Sequence, residues 1–261
     1  MELIDSHCHL DFEQFDTVRD KVLARCQALG VKDIIVPAVT AESWPRLLDV
    51  CQTSPMLHPA LGLHPMFMSQ HKAEHIDQLH QFIKQHNPIA IGEIGLDFYL
   101  PEHDKQAQID LFTAQLKLTQ QANLPVLLHV RKAHDQTISL LKQTPVIGGI
   151  IHAFNGSLQQ AEQYQQLGFV FGVGGAITHP KATRLRKLVS ELPLSSLVLE
   201  TDAPDMPVFG QKEQAANTPE NIPIILDALT ELRPENKETI ASATTENCQR
   251  VLNLNNSARP N

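Results

Sequence analysis

The amino-acid sequence predicts an α/β fold, specifically a (β/α)8 TIM barrel, from three observations. Eight short apolar runs alternate with amphipathic segments along the chain, which is the pattern of a parallel sheet with helical connections. The length of 261 residues is close to the roughly 250 that one such barrel requires. No G-x-G-x-x-G pattern follows the first apolar run, which disfavours the dinucleotide-binding open sheet.

The strand candidates are short, partly β-branched and mostly followed by Gly, Pro, Ser or His, as is typical of buried parallel strands. In chain order they are Leu3–Ser6, Asp33–Pro37, Leu57–Leu61, Ile89–Gly92, Val126–His129, Gly149–His152, Phe169–Gly172 and Leu197–Leu199. The sequence contains no linker, low-complexity block or internal repeat. We therefore expect a single barrel domain over residues 1–254, followed by a frayed polar tail over residues 255–261.

Helices are predicted where apolar residues recur at helical spacing. The segment 105–121 shows this pattern, with Ile109, Phe112, Leu116 and Leu118 spaced for one helical face. The predicted helices cover residues 17–29, 41–53, 72–86, 103–122, 134–143, 158–167, 180–191, 219–232 and 235–252. The last two follow the eighth strand candidate and close the chain.

Composition narrows the classes of function. The formal net charge of −8 argues against a broadly basic nucleic-acid-binding surface, although bound divalent cations can offset that charge locally and leave DNA open as a substrate. The four cysteines, Cys8, Cys26, Cys51 and Cys248, form no C-x-x-C pair. We expect them to be reduced thiols and not to form disulfides. The N-terminus lacks the pattern of a signal peptide, and no apolar segment approaches the roughly 20 residues that span a bilayer. We therefore expect a cytoplasmic protein with no membrane partner and no obligate protein partner.

The first strand candidate is followed by two histidines separated by one residue, a His-x-His motif. His7 and His9 face the same side of an extended chain, whereas Cys8 faces the other side and is a poor candidate for a ligand. Two neutral imidazoles so placed suit zinc or a similar first-row ion. The alternative for this motif alone is two unrelated histidines among the thirteen in the chain.

Four further side chains that can bind metals follow other strand candidates, namely Glu93, His129, His152 and Asp202. Parallel strands of a barrel bring their C-terminal ends to one face, where active sites are built. Any one of these residues could instead be a hydrogen-bonded core residue or a helix cap. Because a buried, unpaired carboxylate or imidazole is costly, a shared cation explains all of them together most simply.

Six sequence segments resemble the TatD-like hydrolases, in the same order and over nearly the whole chain. They are Asp5-Ser6-His7-Cys8-His9-Leu10-Asp11, Gly62-Leu63-His64-Pro65, Gly92-Glu93-Ile94-Gly95-Leu96-Asp97, His129-Val130-Arg131, His152-Ala153-Phe154-Asn155-Gly156 and Glu200-Thr201-Asp202-Ala203-Pro204. That family belongs to the metal-dependent hydrolases with amidohydrolase-like barrels and includes divalent-metal-dependent DNases. The resemblance therefore implies a (β/α)8 barrel of the metal-dependent hydrolase type.

The resemblance also implies two divalent metal ions, with zinc or manganese favoured by an imidazole-rich site and magnesium as an alternative. The implied ligands are His7, His9, Glu93, His129, His152 and Asp202. His7, His9 and Asp202 would hold one ion. His129 and His152 would hold the other, with Glu93 bridging the two. Glu93 and Asp202 would also be catalytic, because water activated by the two metals attacks a phosphodiester of DNA without a side-chain nucleophile.

Three further residues are predicted to act around the ions. His64 follows the third strand candidate and Arg131 lies two residues beyond His129, and both are predicted to contact a substrate phosphate. The alternatives are a capped loop turn for His64 and an ion pair at the barrel mouth for Arg131. Glu200 has the strand parity of Asp202 and is predicted to orient a ligand histidine or a water, or else to form a structural ion pair.

One segment departs from the family pattern. Many relatives carry Arg-Asn-x-Pro after the eighth strand for substrate contact, whereas this chain has Ala216-Asn217-Thr218-Pro219 and lacks the arginine. The leading hypothesis is a phosphodiesterase or deoxyribonuclease. The alternatives are a small-molecule amidohydrolase, lactonase or phosphoesterase on the same barrel, and a metal-binding interaction protein. The small-molecule enzymes often bridge their metals with a carbamylated lysine, but this chain has Glu93 at that place and no lysine near it.

Overall fold

The structure is a computed structural model that describes residues 1–99, 104–211 and 216–254. The predicted polar tail over residues 255–261 lies outside the described residues, as does residue 103 at the start of one predicted helix. Within the described ranges, no helix combines the length and the apolar character needed to cross a membrane.

Eight parallel strands form one sheet in chain order, each hydrogen-bonded to the next. The strands are β1 Leu3–Asp5, β2 Val31–Pro37, β3 Leu57–Leu61, β4 Ala90–Asp97, β5 Val126–Arg131, β6 Gly149–Ile151, β7 Phe169–Val173 and β8 Leu197–Leu199. Backbone hydrogen bonds join the first and last strands, since Ser6 N donates to Leu199 O at 2.9 Å and Asp202 N donates to His7 O at 2.8 Å. The predicted (β/α)8 TIM barrel is therefore confirmed.

Each predicted helix is present, with its ends shifted by at most three residues. The helices are α1 Arg19–Ala28, α2 Trp44–Gln52, α3 Glu74–His86, α4 Lys105–Ala122, α5 His134–Gln143, α6 Leu158–Gln166, α7 Thr183–Glu191, α8 Ile222–Thr230 and α9 Lys237–Leu252. The predicted segments 41–53 and 219–232 begin as 3₁₀ turns, which are frequent at the N-termini of α-helices.

The fourth strand is longer than predicted. The sequence predicts Ile89–Gly92, because glycine disfavours strands, but β4 extends to Asp97 and is buried throughout. Gly95 belongs in this strand because the backbone of β5 passes close to it: a side-chain carbon at Gly95 would lie 1.9 Å from the carbonyl oxygen of His129. Glu93 therefore lies inside the strand, where the pairing with β5 shifts register, and not just after it.

One side chain from each strand forms an apolar layer that fills the N-terminal end of the barrel. The layer consists of Ile4, Ile35, Ala60, Ala90, Leu127, Ile150, Val170 and Val198, and it packs against Cys248, Val251 and Leu252 of α9. Full burial of a large apolar side chain contributes about 1.5–3 kcal/mol. Because alternate residues of a strand face inward, the positions two residues beyond this layer include His129, His152 and Glu200.

Helix α4 buries two glutamines and a threonine beside the apolar face that was predicted. Its buried residues are Gln108, Phe112, Gln115, Leu116 and Thr119, whereas Ile109 and Leu118 are only half-buried. The two glutamine amides each satisfy both backbone groups of a residue at a strand end. Gln115 bonds to Leu63 N and O at 2.8 and 3.0 Å, and Gln108 bonds to Asp97 N and O at 2.8 and 3.0 Å. The helix thereby fixes the backbone that carries two residues of the site described below.

Candidate metal centre

The six side chains predicted as ligands converge at the C-terminal mouth of the barrel. Their potential ligand atoms, together with that of His64, fall into three groups in which all atoms lie within 4.8 Å of one another. The groups are His7, His9 and Asp202, then His7, Glu93 and His152, and finally His64, Glu93 and His129. The first two groups share His7 and the last two share Glu93, so the three groups form one continuous cluster.

The first group joins the ends of β1 and β8. Nε2 of His7 and Nε2 of His9 each lie 3.6 Å from Oδ1 of Asp202. Nδ1 of His9 lies 3.1 Å from the carbonyl oxygen of Pro37 and donates a hydrogen bond to it, so Nε2 is the ring nitrogen that can bind a metal. This arrangement can hold a cation between two imidazoles and one carboxylate.

Glu93 lies between two pairs of histidines and is buried. Its Oε2 is 3.1 Å from Nε2 of His7 and 3.6 Å from Nε2 of His9. Its Oε1 is 3.1 Å from Nδ1 of His129 and 3.3 Å from Nε2 of His152. The two oxygens therefore face different histidines, which is the geometry in which one carboxylate can bind two ions.

Carboxylates lie behind both histidines of the second pair. Oδ2 of Asp97 is 3.0 Å from Nε2 of His129. Oε1 of Glu200 is 3.6 Å from Nδ1 of His152 and accepts a hydrogen bond from Ala153 N at 2.6 Å. In metal sites a ligand histidine usually donates its other ring N–H to such a carboxylate or to a carbonyl oxygen, so the contact between Asp97 and His129 suits a metal-binding imidazole.

Asp97 and Asp5 are two site residues outside the predicted set. Asp5 Oδ1 accepts hydrogen bonds from His7 N at 3.2 Å and Thr201 N at 2.9 Å, and its Oδ2 accepts one from the Thr201 hydroxyl. Asp5 thus holds the end of β1 against the segment that carries Asp202. The sequence signal for both residues is a carboxylate at the end of an otherwise apolar strand.

The Glu200 carboxylate occupies space left by Gly172 of β7. A side-chain carbon at Gly172 would lie 1.9 Å from Oε2 of Glu200. That oxygen has no hydrogen-bond partner among the described residues, although Glu200 is fully buried. The absence of a side chain at Gly172 is therefore a condition for the position of Glu200 beside His152.

His64 has a different hydrogen-bonding state from the other histidines. Its Nδ1 accepts a hydrogen bond from Met66 N at 3.0 Å, which caps the 3₁₀ helix Pro65–Gln70, so the capped turn foreseen as an alternative is present. Burial lowers the pKa of His64 to about 4, and the ring is therefore neutral near pH 7. With Nδ1 accepting, the proton resides on Nε2, which lies 3.1 Å from Oε1 of Glu93. His64 is thus a hydrogen-bond donor at the cluster.

Arg131 lies at the exposed end of β5. Its guanidinium carbon is 3.9 Å from the centre of the Tyr99 ring, a cation–π contact. In the described parts of the chain, no carboxylate lies within 4.0 Å of the Arg131 side-chain nitrogens, so the ion pair considered from the sequence is not found there. The guanidinium remains available to an anion in the mouth of the barrel.

Asn217, which remains from the relatives' Arg-Asn-x-Pro pattern, lies inside the loop after β8. Its side chain is fully buried and its amide nitrogen donates to Thr201 O and Asp205 O, both at 2.8 Å. Asn217 therefore satisfies backbone carbonyls in the loop after β8. Its role is to support the segment that contains Asp202.

The carboxylates and imidazoles of the cluster shift one another's pKa values. Burial raises the pKa of Glu93, but the neighbouring imidazoles of His64, His7 and His152 outweigh burial and hold this pKa well below its usual range. Burial lowers the pKa of His152, but Asp202, Glu93 and Glu200 outweigh burial and raise it to about 10. Glu93 and Asp202, whose pKa values are both lowered, are therefore ionised and stabilise positive charge in the space between the imidazoles.

Cys8 is turned away from the cluster, as the strand alternation predicts. It is fully buried and packs in the apolar layer between the strands and the helices. Burial raises the pKa of the Cys8 thiol well above its usual value, so the sulfur is protonated. Cys8 is not among the described residues whose ligand atoms converge.

A (β/α)8 barrel with imidazoles and carboxylates converging at its C-terminal mouth belongs to the class of metal-dependent hydrolases. The donor set fits divalent metals, since imidazoles lie beside carboxylates and two of the rings, those of His9 and His129, are oriented by a second hydrogen bond. The chain belongs to the family described as TatD related DNase, whose model matches residues 4–253.

Individual relatives agree with this assignment. The Escherichia coli (strain K12) protein named "Uncharacterized metal-dependent hydrolase YjjV" is 42% identical over 254 residues, covering 96% of this chain and 98% of that protein. A crystal structure described as YjjV, a TatD homolog from Escherichia coli K12, superposes with a TM-score of 0.92 at 41% identity and covers 96% of this chain and 98% of its own. A Danio rerio relative with the term deoxyribonuclease in its name is 28% identical over 263 residues, covering 95% of this chain and 96% of its own.

Proposed function

We propose that the chain is a phosphodiesterase of the deoxyribonuclease type that uses two divalent metal ions. The proposal rests on the position of Glu93, whose two oxygens face His7 and His129 at 3.1 Å each. One carboxylate between two sets of imidazoles suits a pair of ions better than a single ion. Two adjacent ions also suit a phosphodiester, because each can neutralise one of the oxygens that exchange at phosphorus.

In this proposal each ion has its own set of ligands. His7, His9 and Asp202 would hold one ion, His129 and His152 would hold the other, and Glu93 would be shared between them. The imidazole-rich set favours zinc or manganese, with magnesium as an alternative. When bound, the ions supply activation of a water molecule and stabilise both the attacking and the leaving oxygens of the substrate.

The remaining side chains bind and orient the substrate. The neutral His64 donates from Nε2 to a phosphate oxygen, where a donor stabilises charge that develops during the reaction. Arg131 offers a planar fork of donors to the same phosphate from the mouth of the barrel. Asp97 and Glu200 position His129 and His152 without touching substrate.

The preference for DNA is supported by the family description and by the name of the Danio rerio relative. Glu93 at the bridging place, with no lysine near it, supports this choice over a carbamylated-lysine enzyme for small molecules. The cysteines, all four of which are buried and unpaired, suit a reducing compartment, and we place the enzyme in the cytoplasm on that ground.

A substrate panel tests the proposal on protein whose metal content has been measured. The panel contains single- and double-stranded DNA, RNA, a phosphotriester, a lactone and an amide. We expect hydrolysis of DNA at the highest kcat/KM, and loss of that activity in His9→Ala, which excludes a contaminating nuclease. Hydrolysis of the lactone or amide without phosphodiester cleavage would replace the proposal with the small-molecule alternative.

A further inference from the structure

A groove beside the metal centre contains the features of an extended binding surface. The pocket above the cluster has a volume of about 370 Å³ and is lined by His129, His152 and Asp202 among others. A second cavity of about 560 Å³ adjoins it, and the two share Arg131 and Asn155 as lining residues. A chain-like ligand held at the metal centre can therefore continue directly into this second cavity, the basic groove.

Four cations line the basic groove: Arg131, Lys132, Lys181 and Arg184. All four are exposed, and none of the described residues that line the groove is acidic. Within the described ranges, none of the four lies within 4.0 Å of a carboxylate, whereas Arg19, Arg25, Arg46 and Arg233 all form ion pairs. In a chain of net charge −8, this is a local concentration of unneutralised positive charge.

An aromatic ring lies at the end of the basic groove nearest Arg131. Tyr99 is 57% exposed, and the Arg131 guanidinium covers one part of its ring at 3.9 Å. An exposed aromatic ring beside cations is the combination that binds single-stranded nucleic acids, because bases stack on the ring while phosphates meet the charges.

We infer that the basic groove binds the part of a single-stranded nucleic acid that extends from the phosphodiester at the metal centre. Lys132, Lys181 and Arg184 contact successive phosphates of that strand. Tyr99 stacks on an unpaired base next to the scissile bond. This inference rests on the proposed function, and it explains how a net acidic enzyme without the arginine before Asn217 still attracts a polyanion.

Paired lysine variants separate the basic groove from general charge. Lys132→Ala/Lys181→Ala removes two cations from the groove, while Lys117→Ala/Lys187→Ala removes two exposed cations outside it. Binding of a fluorescent phosphorothioate DNA strand of about 20 nucleotides is measured by anisotropy on metal-loaded protein. At about 0.05 M salt we expect the groove variant to weaken binding at least about tenfold and to lower the salt slope by about 1.4, from two lost phosphate contacts. The control variant should stay within about twofold of the parent.

Hydrolysis of bis(p-nitrophenyl) phosphate, which is too short to enter the basic groove, separates the inference from the proposed function. We expect the groove variant to hydrolyse this diester at the parental rate. If the groove variant loses oligonucleotide binding and the parent protein does not hydrolyse the diester, the proposed function is refuted but the groove assignment stands. Normal diester hydrolysis with equal binding by the groove variant and its control would overturn the groove alone.

Tyr99 variants test the stacking contact. Tyr99→Phe retains the ring and should bind the single strand within about twofold of the parent, whereas Tyr99→Ala should bind it at least about fivefold more weakly. A double strand of the same length should bind more weakly than the single strand and respond little to Tyr99→Ala. If single- and double-stranded DNA bound equally well and Tyr99→Ala changed neither affinity, the single-strand assignment would be overturned.

Discussion

Asp97 Oδ2 lies 3.0 Å from Nε2 of His129, so the ring nitrogen that faces Glu93 is Nδ1, at 3.1 Å. This contact sets which nitrogen of His129 carries the proton. The carboxylate of Asp97 accepts from Nε2–H and leaves the Nδ1 lone pair for a metal. Asp97 therefore acts on the cluster through His129 and is a positioning residue.

Replacement of Asp97 by asparagine tests this relationship. The amide introduced by Asp97→Asn can present an N–H to Nε2 of His129 and thereby favour the tautomer whose proton lies on Nδ1. We expect Asp97→Asn to weaken binding of one metal by about 10–100-fold while the other remains. Isothermal titration with zinc or manganese measures both affinities, and Asp110→Asn, which changes an exposed carboxylate of α4, is the control. Unchanged affinities in Asp97→Asn would exclude the positioning role.

A methyl group at Gly172 should displace Glu200. The added carbon would lie 1.9 Å from Oε2 of Glu200, so the buried carboxylate or the strand has to shift. We expect Gly172→Ala to reduce stability by about 1–3 kcal/mol, as for other overpacked positions, and to weaken metal binding through His152. Gly174→Ala is the matched control, since its added carbon would lie 3.5 Å from the nearest atom. Equal unfolding midpoints for the two variants in urea would contradict the expected clash.

Cys8 should matter for stability and not for metal binding. It is fully buried in the layer between strands and helices, and its thiol does not face the cluster. We expect Cys8→Ala to cost about 1 kcal/mol of unfolding free energy and to keep the parental metal content. His9→Ala should lose metal, as measured by elemental analysis of both variants. Equal metal loss in the two would show that the alternation of His7, Cys8 and His9 has been misassigned.

Much of this site follows from two rules about parallel strands. Alternation places His7 and His9 on one side, and barrel closure brings the C-terminal ends of distant strands together. Those rules are sufficient to predict that the six candidate ligands converge, because they depend on strand position and not on detailed packing.

Asp97, Gln108 and Gln115 were not predicted, because the reasons for their positions lie in the neighbouring backbone. Asp97 belongs to the site because β4 continues through Gly95, where only the close approach of β5 explains the glycine. Gln108 and Gln115 are buried because their amides bond to the backbone of Asp97 and Leu63. A pattern of apolar residues alone cannot predict that these polar side chains are buried. Asn217 was given no role from the sequence, and its buried amide supports the loop after β8.

Metal binding should release protons near pH 7. In the metal-free cluster the pKa of His152 is about 10 and that of His9 is about 9, both raised above 6.5 by neighbouring carboxylates that outweigh burial. Their stabilising contribution in the metal-free protein is present below pH 6.5 and is lost as the pH rises through about 9–10. Because a metal needs neutral imidazoles, we expect its affinity to rise between about pH 6 and 9. Calorimetric titrations in buffers of different ionisation enthalpy should show proton release, and identical heats in all buffers would contradict it.

Glu93 is the residue on which the two-metal account depends. Glu93→Gln keeps the size of the side chain but removes the negative charge that lies between His7 and His129. Two nearby cations are then less well neutralised, so both are held more weakly. Glu162→Gln on α6, an exposed change of the same kind, is the control for the substitution itself. Circular dichroism confirms that each variant is folded.

The metal stoichiometry of Glu93→Gln, measured by elemental analysis beside turnover of a phosphodiester, tests the central claim most directly. We predict that Glu93→Gln loses metal from both sites and nearly all hydrolysis while its circular dichroism stays parental, and that His129→Ala loses mainly one metal. Two tightly bound metals and near-normal turnover in Glu93→Gln would contradict the bridging role and with it the two-metal account.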